Sequence, residues 1–281
     1  MRRLAFALAV TAMVGTGCSD LIRDNIYLAP EKPIAIGRFT KTPPQEIRVQ
    51  LPGIGGLQGF YWPGEVRDPD IILFFHGRRA SQGVGAKYAE YLVGHGDSVL
   101  VASYPGFAGN PGHPSEAAML ATAHAFAAEA RRLKGPNARL WLVGHSLGAA
   151  VAIEAAQAEG AAGVVAISPF TRLSAAAPWA ARALIVDPWD NLAAVRALRV
   201  PLLLIHGRDD TIVPPEQSRA LLDAAGGPAV RITMAARTHK PQMQELGPFI
   251  SDGIAAMGSG AFAGWPQAVP ADWTVERARL R

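Results

Sequence analysis

The chain has 281 residues, 49% of them hydrophobic and 18% charged, which is enough apolar material for a sizeable core in an ordinary globular protein. Its formal net charge of +4 includes Arg2 and Arg3 at the extreme N-terminus, and the other cations are scattered without any run of five. That pattern gives no basis for a nucleic-acid partner. Cys18 is the only cysteine, so no disulfide can form within the chain.

Met1-Arg2-Arg3 leads into an apolar stretch, Leu4 to Val14, that is too short to cross a bilayer comfortably. Small residues Gly15-Thr16-Gly17 and then Cys18 follow, so residues 1–18 read as a secretory leader. The position of Cys18 resembles a bacterial lipoprotein signal, although Gly15 stands where Leu, Val or Ile is usual. That resemblance implies export to the cell envelope with a lipid on Cys18 as the membrane anchor, and Ser19 leans toward the outer membrane. The plain alternative is ordinary signal cleavage. Residues 19–45, carrying Pro30, Pro33, Pro43 and Pro44, are expected to be an extended tether.

Residues 46–258 carry the domain. Glu46 to Leu51 alternates apolar and polar and ends at Pro52-Gly53, which predicts an edge strand paired in a hairpin with residues 57–62. Short continuous apolar runs at 71–75, 98–102, 140–143, 163–167 and 202–205 predict strands buried on both faces, as parallel strands are. Helix-like stretches at 82–94, 115–134, 147–160 and 215–225 separate them, with Ser115 a candidate N-cap and Pro214-Pro215 a candidate helix opening. Strand and helix therefore alternate. This predicts an α/β fold, a mainly parallel central sheet with helices on both faces, preceded by an antiparallel hairpin. Residues 170–199 break the rhythm and are expected to be a small inserted cap; residues 259–281 form a tail that either packs or frays.

Gly144-His145-Ser146-Leu147-Gly148 lies between a predicted strand and a predicted helix. A strand-turn-helix context of this kind makes a G-x-S-x-G sequence a nucleophile elbow: glycines let the backbone reverse sharply and leave the serine hydroxyl exposed above the sheet. A serine hydroxyl needs a base, and that base needs a carboxylate to orient it. Asp210 follows the strand at 202–205 and is favoured as the acid; Asp209 is its neighbour and competitor, and Asp187 and Asp190 are more distant candidates. His239 is the only histidine after Asp210. The backbone N–H groups of Leu147, after the nucleophile, and of Arg78, after the first buried strand, are the expected oxyanion donors. His76, His145 and His206 read as structural. His95, His113 and His124 have no metal-like pairing, so neither a catalytic metal nor an organic cofactor is expected.

Four segments together, Phe75-His-Gly-Arg78, Tyr104-Pro-Gly-Phe107 with residues 109–116, Gly144 to Gly148, and Ile205 to Pro214, resemble the α/β-hydrolase superfamily. The likeness is to its serine-hydrolase branch of esterases, thioesterases and serine aminopeptidase-like members. Arg78 departs from the Asn usual there, and Ala236-Arg237-Thr238 from the usual glycines before the histidine. The resemblance implies hydrolysis of carboxylic esters or thioesters through an acyl-enzyme. A peptidase or amidase, or a non-catalytic membrane-tethered binding protein, are the competing readings. Trp179, Leu184, Ile185 and Trp189 could line an acyl pocket, but core packing is the favoured reading.

Overall fold

In the computed structural model, which describes residues 23–32, 43–66, 68–176, 182 and 185–278, one nine-stranded sheet organises the chain. The strands are β1 (Gln45–Leu51), β2 (Gly55–Trp62), β3 (Asp70–Phe75), β4 (Ser98–Val101), β5 (Arg139–His145), β6 (Gly163–Ile167), β7 (Leu202–Gly207), β8 (Ala229–Met234) and β9 (Trp273–Arg277). Their order is β1-β2-β4-β3-β5-β6-β7-β8-β9. The six strands from β4 to β8 in that order pair in parallel, while β1, β2 and β9 add antiparallel edges.

The central strands are continuous apolar runs because both their faces are covered. Along β3, Ile71, Leu73 and Phe75 enter one core cluster and Ile72 and Phe74 the other, as strict two-residue alternation requires. Helices α1 (Gln82–Ala89), α2 (Glu116–Lys134), α3 (Leu147–Ala155), α4 (Leu173–Ala176), α5 (Asn191–Ala197), α6 (Glu216–Ala224) and α7 (Met243–Gly258) supply the cover. Helices α2, α3, α5 and α6 pack side by side over one face; α1 and α7 lie over the other. Ser115 caps α2 by accepting from the Ala118 N–H, as its sequence position predicts. None of the helices among the described residues is long and apolar enough to cross a membrane.

One expectation changes. Residues 23–32, expected within an extended tether, are docked on the domain instead: 23–27 are helical and Tyr27 is fully buried. Of the tail, left open between packing and fraying, residues 259–278 pack: β9 extends the sheet and Trp265 and Trp273 are buried. The cap is modest among the described residues, consisting of α4, the extended segment 185–190 and α5. Residues 1–22, with the leader and Cys18, lie outside the described residues, as do Trp179 and Leu184.

Candidate active site

The site lies where the parallel strands end. Strand β5 runs into Ser146, whose φ of 55° and ψ of −115° are strained for a residue with a Cβ, and α3 begins at the next residue. The flanking glycines make that turn possible. A Cβ on Gly144 would lie 2.0 Å from the Gly148 carbonyl oxygen, and one on Gly148 would lie 2.1 Å from that of Phe75. Ser146 was expected to be exposed, yet only 8% of it is, because loops from three strands crowd around it.

His239, on the loop after β8, faces the serine: its Nε2 is 3.0 Å from Ser146 Oγ and its Nδ1 is 2.8 Å from Asp210 Oδ2. The row Ser146, His239, Asp210 is thus continuous. Asp210 Oδ1 accepts from the backbone N–H groups of Ile212 and Val213, both at 2.9 Å. Burial works to raise the Asp210 carboxyl, but hydrogen bonds from His206, His239 and the Val213 N–H outweigh it and hold the carboxyl well below the usual carboxylate range. Asp209 is exposed, and its N–H donates to the Arg237 carbonyl at 2.9 Å. Asp187 and Asp190 serve elsewhere, the first bound to Arg23 and Tyr27 and the second capping α5 and paired with Arg172.

Two histidines read as structural turn out to hold the row. His206 is fully buried, and its Nε2 lies 3.2 Å from Asp210 Oδ2 and 2.9 Å from the Val213 carbonyl. Two acceptors around one nitrogen place the proton on Nε2, so His206 donates to the same carboxylate oxygen that faces His239. The signal in the sequence was the four-residue spacing from His206 to Asp210, which takes its meaning only from the loop's curl. His145 donates from Nε2 to the His239 carbonyl at 2.9 Å, and burial pushes its pKa down to about 4, with the nearby His239 adding to the effect. A neutral ring therefore ties the elbow to the histidine loop.

Leu147 is the first residue of α3, so its N–H is one of the helix's orphan donors and points toward the serine end, where the helix dipole is positive. The loop carrying Arg78 lies against the elbow: a Cβ on Gly77 would come 3.2 Å from the His145 carbonyl oxygen and 3.4 Å from Ser146 Cβ. Tyr104 fixes this loop by donating its hydroxyl to the His76 carbonyl at 2.9 Å. Trp189, weighed as a pocket residue, is completely buried in the core.

Residues 68–189 match the family described as Serine aminopeptidase, S33. An uncharacterized protein of Mycobacterium tuberculosis is 32% identical over 235 residues, covering 79% of this chain and 83% of its own. Lysophosphatidylserine lipase ABHD12 of Danio rerio is 26% identical over 237 residues, covering 72% of this chain and 58% of its own. Among solved structures, Est1E from Butyrivibrio proteoclasticus with bound ferulic acid superposes with a TM-score of 0.64 at 17% identity, over 76% of this chain and 99% of that one. With the sheet order and the elbow, these likenesses establish that the chain belongs to the α/β-hydrolase superfamily, in its serine-hydrolase branch.

Proposed function

We propose that this protein is a serine hydrolase that cleaves carboxylic esters or thioesters through an acyl-enzyme intermediate. The observation that carries the reading is the hydrogen-bonded row from Ser146 Oγ through His239 to Asp210, set on a strained elbow. His239 Nε2 takes the hydroxyl proton as Oγ bonds to the substrate carbonyl carbon; the resulting oxyanion lies toward the N–H groups of Leu147 and Arg78. Asp210 keeps the imidazole in the tautomer whose Nε2 accepts, and stabilises the imidazolium once formed. The imidazolium then protonates the leaving alcohol or thiol. A water, losing its proton to His239, attacks the acyl-enzyme and releases the acid with Ser146 restored.

The lipase and the ferulic-acid-bound Est1E among the relatives support an ester substrate. The match to a serine aminopeptidase family over residues 68–189 supports a second reading, cleavage of an amide, by the same steps with an amine as leaving group. The leader and Cys18 support an exported, lipid-anchored location in the cell envelope.

The test is hydrolysis of p-nitrophenyl esters of graded acyl length by the full chain and by Ser146→Ala. Turnover by the wild type that falls to background in the variant is the expected result. A folded wild type that leaves every ester intact while releasing amines from aminoacyl amides would replace the ester reading with the peptidase one.

A further inference from the structure

Residues 23–30 join two parts of the domain that lie far apart in the sequence, the Asp187–Trp189 segment and the loop after β3. On one side lies the segment Asp187–Trp189. Asp187 is 4% exposed, and a carboxylate buried that far needs compensating partners. Both Arg23 Nε and Nη2 donate to it at 3.1 Å, and the Tyr27 hydroxyl donates at 2.6 Å. The same hydroxyl accepts from Trp189 Nε1 at 3.1 Å. Trp189 has a φ of 45°, a left-handed backbone that a tryptophan holds only when its surroundings fix it. Its own N–H is taken by Glu116 Oε2 at 2.8 Å.

On the other side lies the loop after β3. Arg78 Nη1 donates to the Ile26 carbonyl at 3.3 Å, and Arg79 next to it has a φ of 59°. Ala108, with a φ of 51°, donates its N–H to the Pro30 carbonyl at 2.7 Å. Two left-handed non-glycine residues, Trp189 and Ala108, thus bond directly to this N-terminal segment, and a third, Arg79, follows a residue that does. Strained backbone persists where neighbours over-determine it, and here the segment is among those neighbours.

We infer that residues 23–30 are a built-in clamp, a positioning element that is anchored on the Asp187–Trp189 segment, holds the Arg78 loop and so sets the second oxyanion donor. The Arg78 guanidinium serves as the clamp's latch rather than as a contact for an acidic substrate. The kinetic consequence rests on the serine-hydrolase reading; the mechanical one does not.

Two variants of the full chain test it. Tyr27→Phe removes the hydroxyl that links Asp187 to Trp189 and keeps the ring. Arg78→Met removes the donor to Ile26 at an exposed position and leaves the Arg78 backbone N–H in place, so it folds even if Tyr27→Phe does not. Displacing an oxyanion donor by a fraction of an ångström is expected to lower kcat roughly 10-fold or more, with KM for short acyl esters within about threefold. A boronic acid that mimics the tetrahedral adduct should lose affinity in proportion to kcat/KM, and Arg78→Lys should recover part of both. Amide hydrogen exchange should quicken at residues 76–80 in both variants and at 187–190 in Tyr27→Phe. A merely structural role would lower the melting temperature and leave kcat of the folded enzyme and the boronate affinity unchanged. Unchanged exchange at 76–80 together with kcat within about twofold of wild type overturns the clamp. Faster exchange in an enzyme whose wild type turns over no ester keeps the clamp and sinks the ester reading instead.

Discussion

Asp210→Asn gives the sharpest test of the site, because the acid's surroundings dictate how the amide must sit. Oδ1 of Asp210 accepts from the Ile212 and Val213 N–H groups, so the asparagine must keep its carbonyl oxygen there. Its NH2 group then occupies the Oδ2 position, 2.8 Å from His239 Nδ1 and 3.2 Å from His206 Nε2. An amide donor facing His239 Nδ1 forces that nitrogen to accept, which moves the ring proton to Nε2. A protonated Nε2 cannot receive the proton of Ser146. The same NH2 also meets the proton on His206 Nε2 head-on. Loss of the tautomer and of the charge behind it is worth about 1,000- to 10,000-fold in kcat, or about 4–5.5 kcal/mol of transition-state stabilisation. Asp209→Asn changes an exposed side chain outside the row and is expected to stay within about twofold. Steady-state hydrolysis of p-nitrophenyl butyrate by both variants decides it. Retention of a tenth of wild-type activity by Asp210→Asn, or a comparable loss in Asp209→Asn, refutes the assignment.

Gly148→Ala places a methyl 2.1 Å from the Phe75 carbonyl oxygen, backbone against backbone, so we expect loss of about 4 kcal/mol or more of stability and no Ser146 labelling by a fluorophosphonate; a stable, labelled variant would contradict the elbow geometry. Glu154 has its pKa pushed up to about 8 by burial first and then by the charges of Glu116 and Asp190. A carboxyl whose folded pKa is raised stabilises the fold below its unfolded pKa and loses that contribution as pH rises through about 8. Glu154→Gln, permanently neutral, should therefore match wild type near pH 5 and exceed it by about 2 kcal/mol at pH 9, after allowing for its partial solvent access; equal denaturation midpoints at pH 9 would count against it. His145 has the opposite sign. Its folded pKa, near 4, lies below the unfolded value, so its contribution is present above about pH 6.5 and is lost as pH falls toward 4. Between pH 7 and 4.5 the wild type should lose about 2–3 kcal/mol relative to His145→Gln, a comparison in which the carboxyl contributions cancel; a constant difference would mean His145 is not kept neutral.

The strands and the triad were legible because each rests on local chemistry. A run such as Ile71 to Phe75 has to be buried on both faces, and Ser146 between Gly144 and Gly148 reads as an elbow in its flanking context alone. What stayed illegible depends on contacts distant in sequence. Helix α7 carries Gly247, Pro248 and Gly253, which read as breakers; yet a Cβ on Gly247 would lie 2.4 Å from the Tyr91 carbonyl oxygen, so close packing against the turn after α1 selects the small residue. Strand β9 is five residues long and is defined by its partner β8. The docking of residues 23–32 was hidden for the same reason, since Tyr27 finds Asp187 160 positions away. His206 reads as structural because nothing local says that Asp210 curls back onto it.

The base and the acid of the row are each held by neighbouring groups, and this bears on where specificity can reside. His145 on the elbow fixes the His239 main chain, while His206 and two N–H groups fix Asp210. A Cβ on Gly207 would lie 2.3 Å from the Arg237 carbonyl oxygen, so the acid and histidine loops touch backbone to backbone. Such joints leave the reacting groups little room to adapt, which suits charge stabilisation that must be in place before the reaction begins. Discrimination among acyl groups then has to come from what surrounds the row rather than from the row itself. The candidates for that surrounding are the cap, which includes Ile185–Asp190, and the clamp at residues 23–30, which are joined to each other through Asp187. Substitutions in those two segments should therefore shift the preferred acyl length while leaving the rate of Ser146 with a small, unselective fluorophosphonate within a few-fold, provided Arg23, Tyr27, Asp187 and Trp189 are kept. Acyl preference and labelling rate moving together in every such variant would mean that these segments and the row are a single unit.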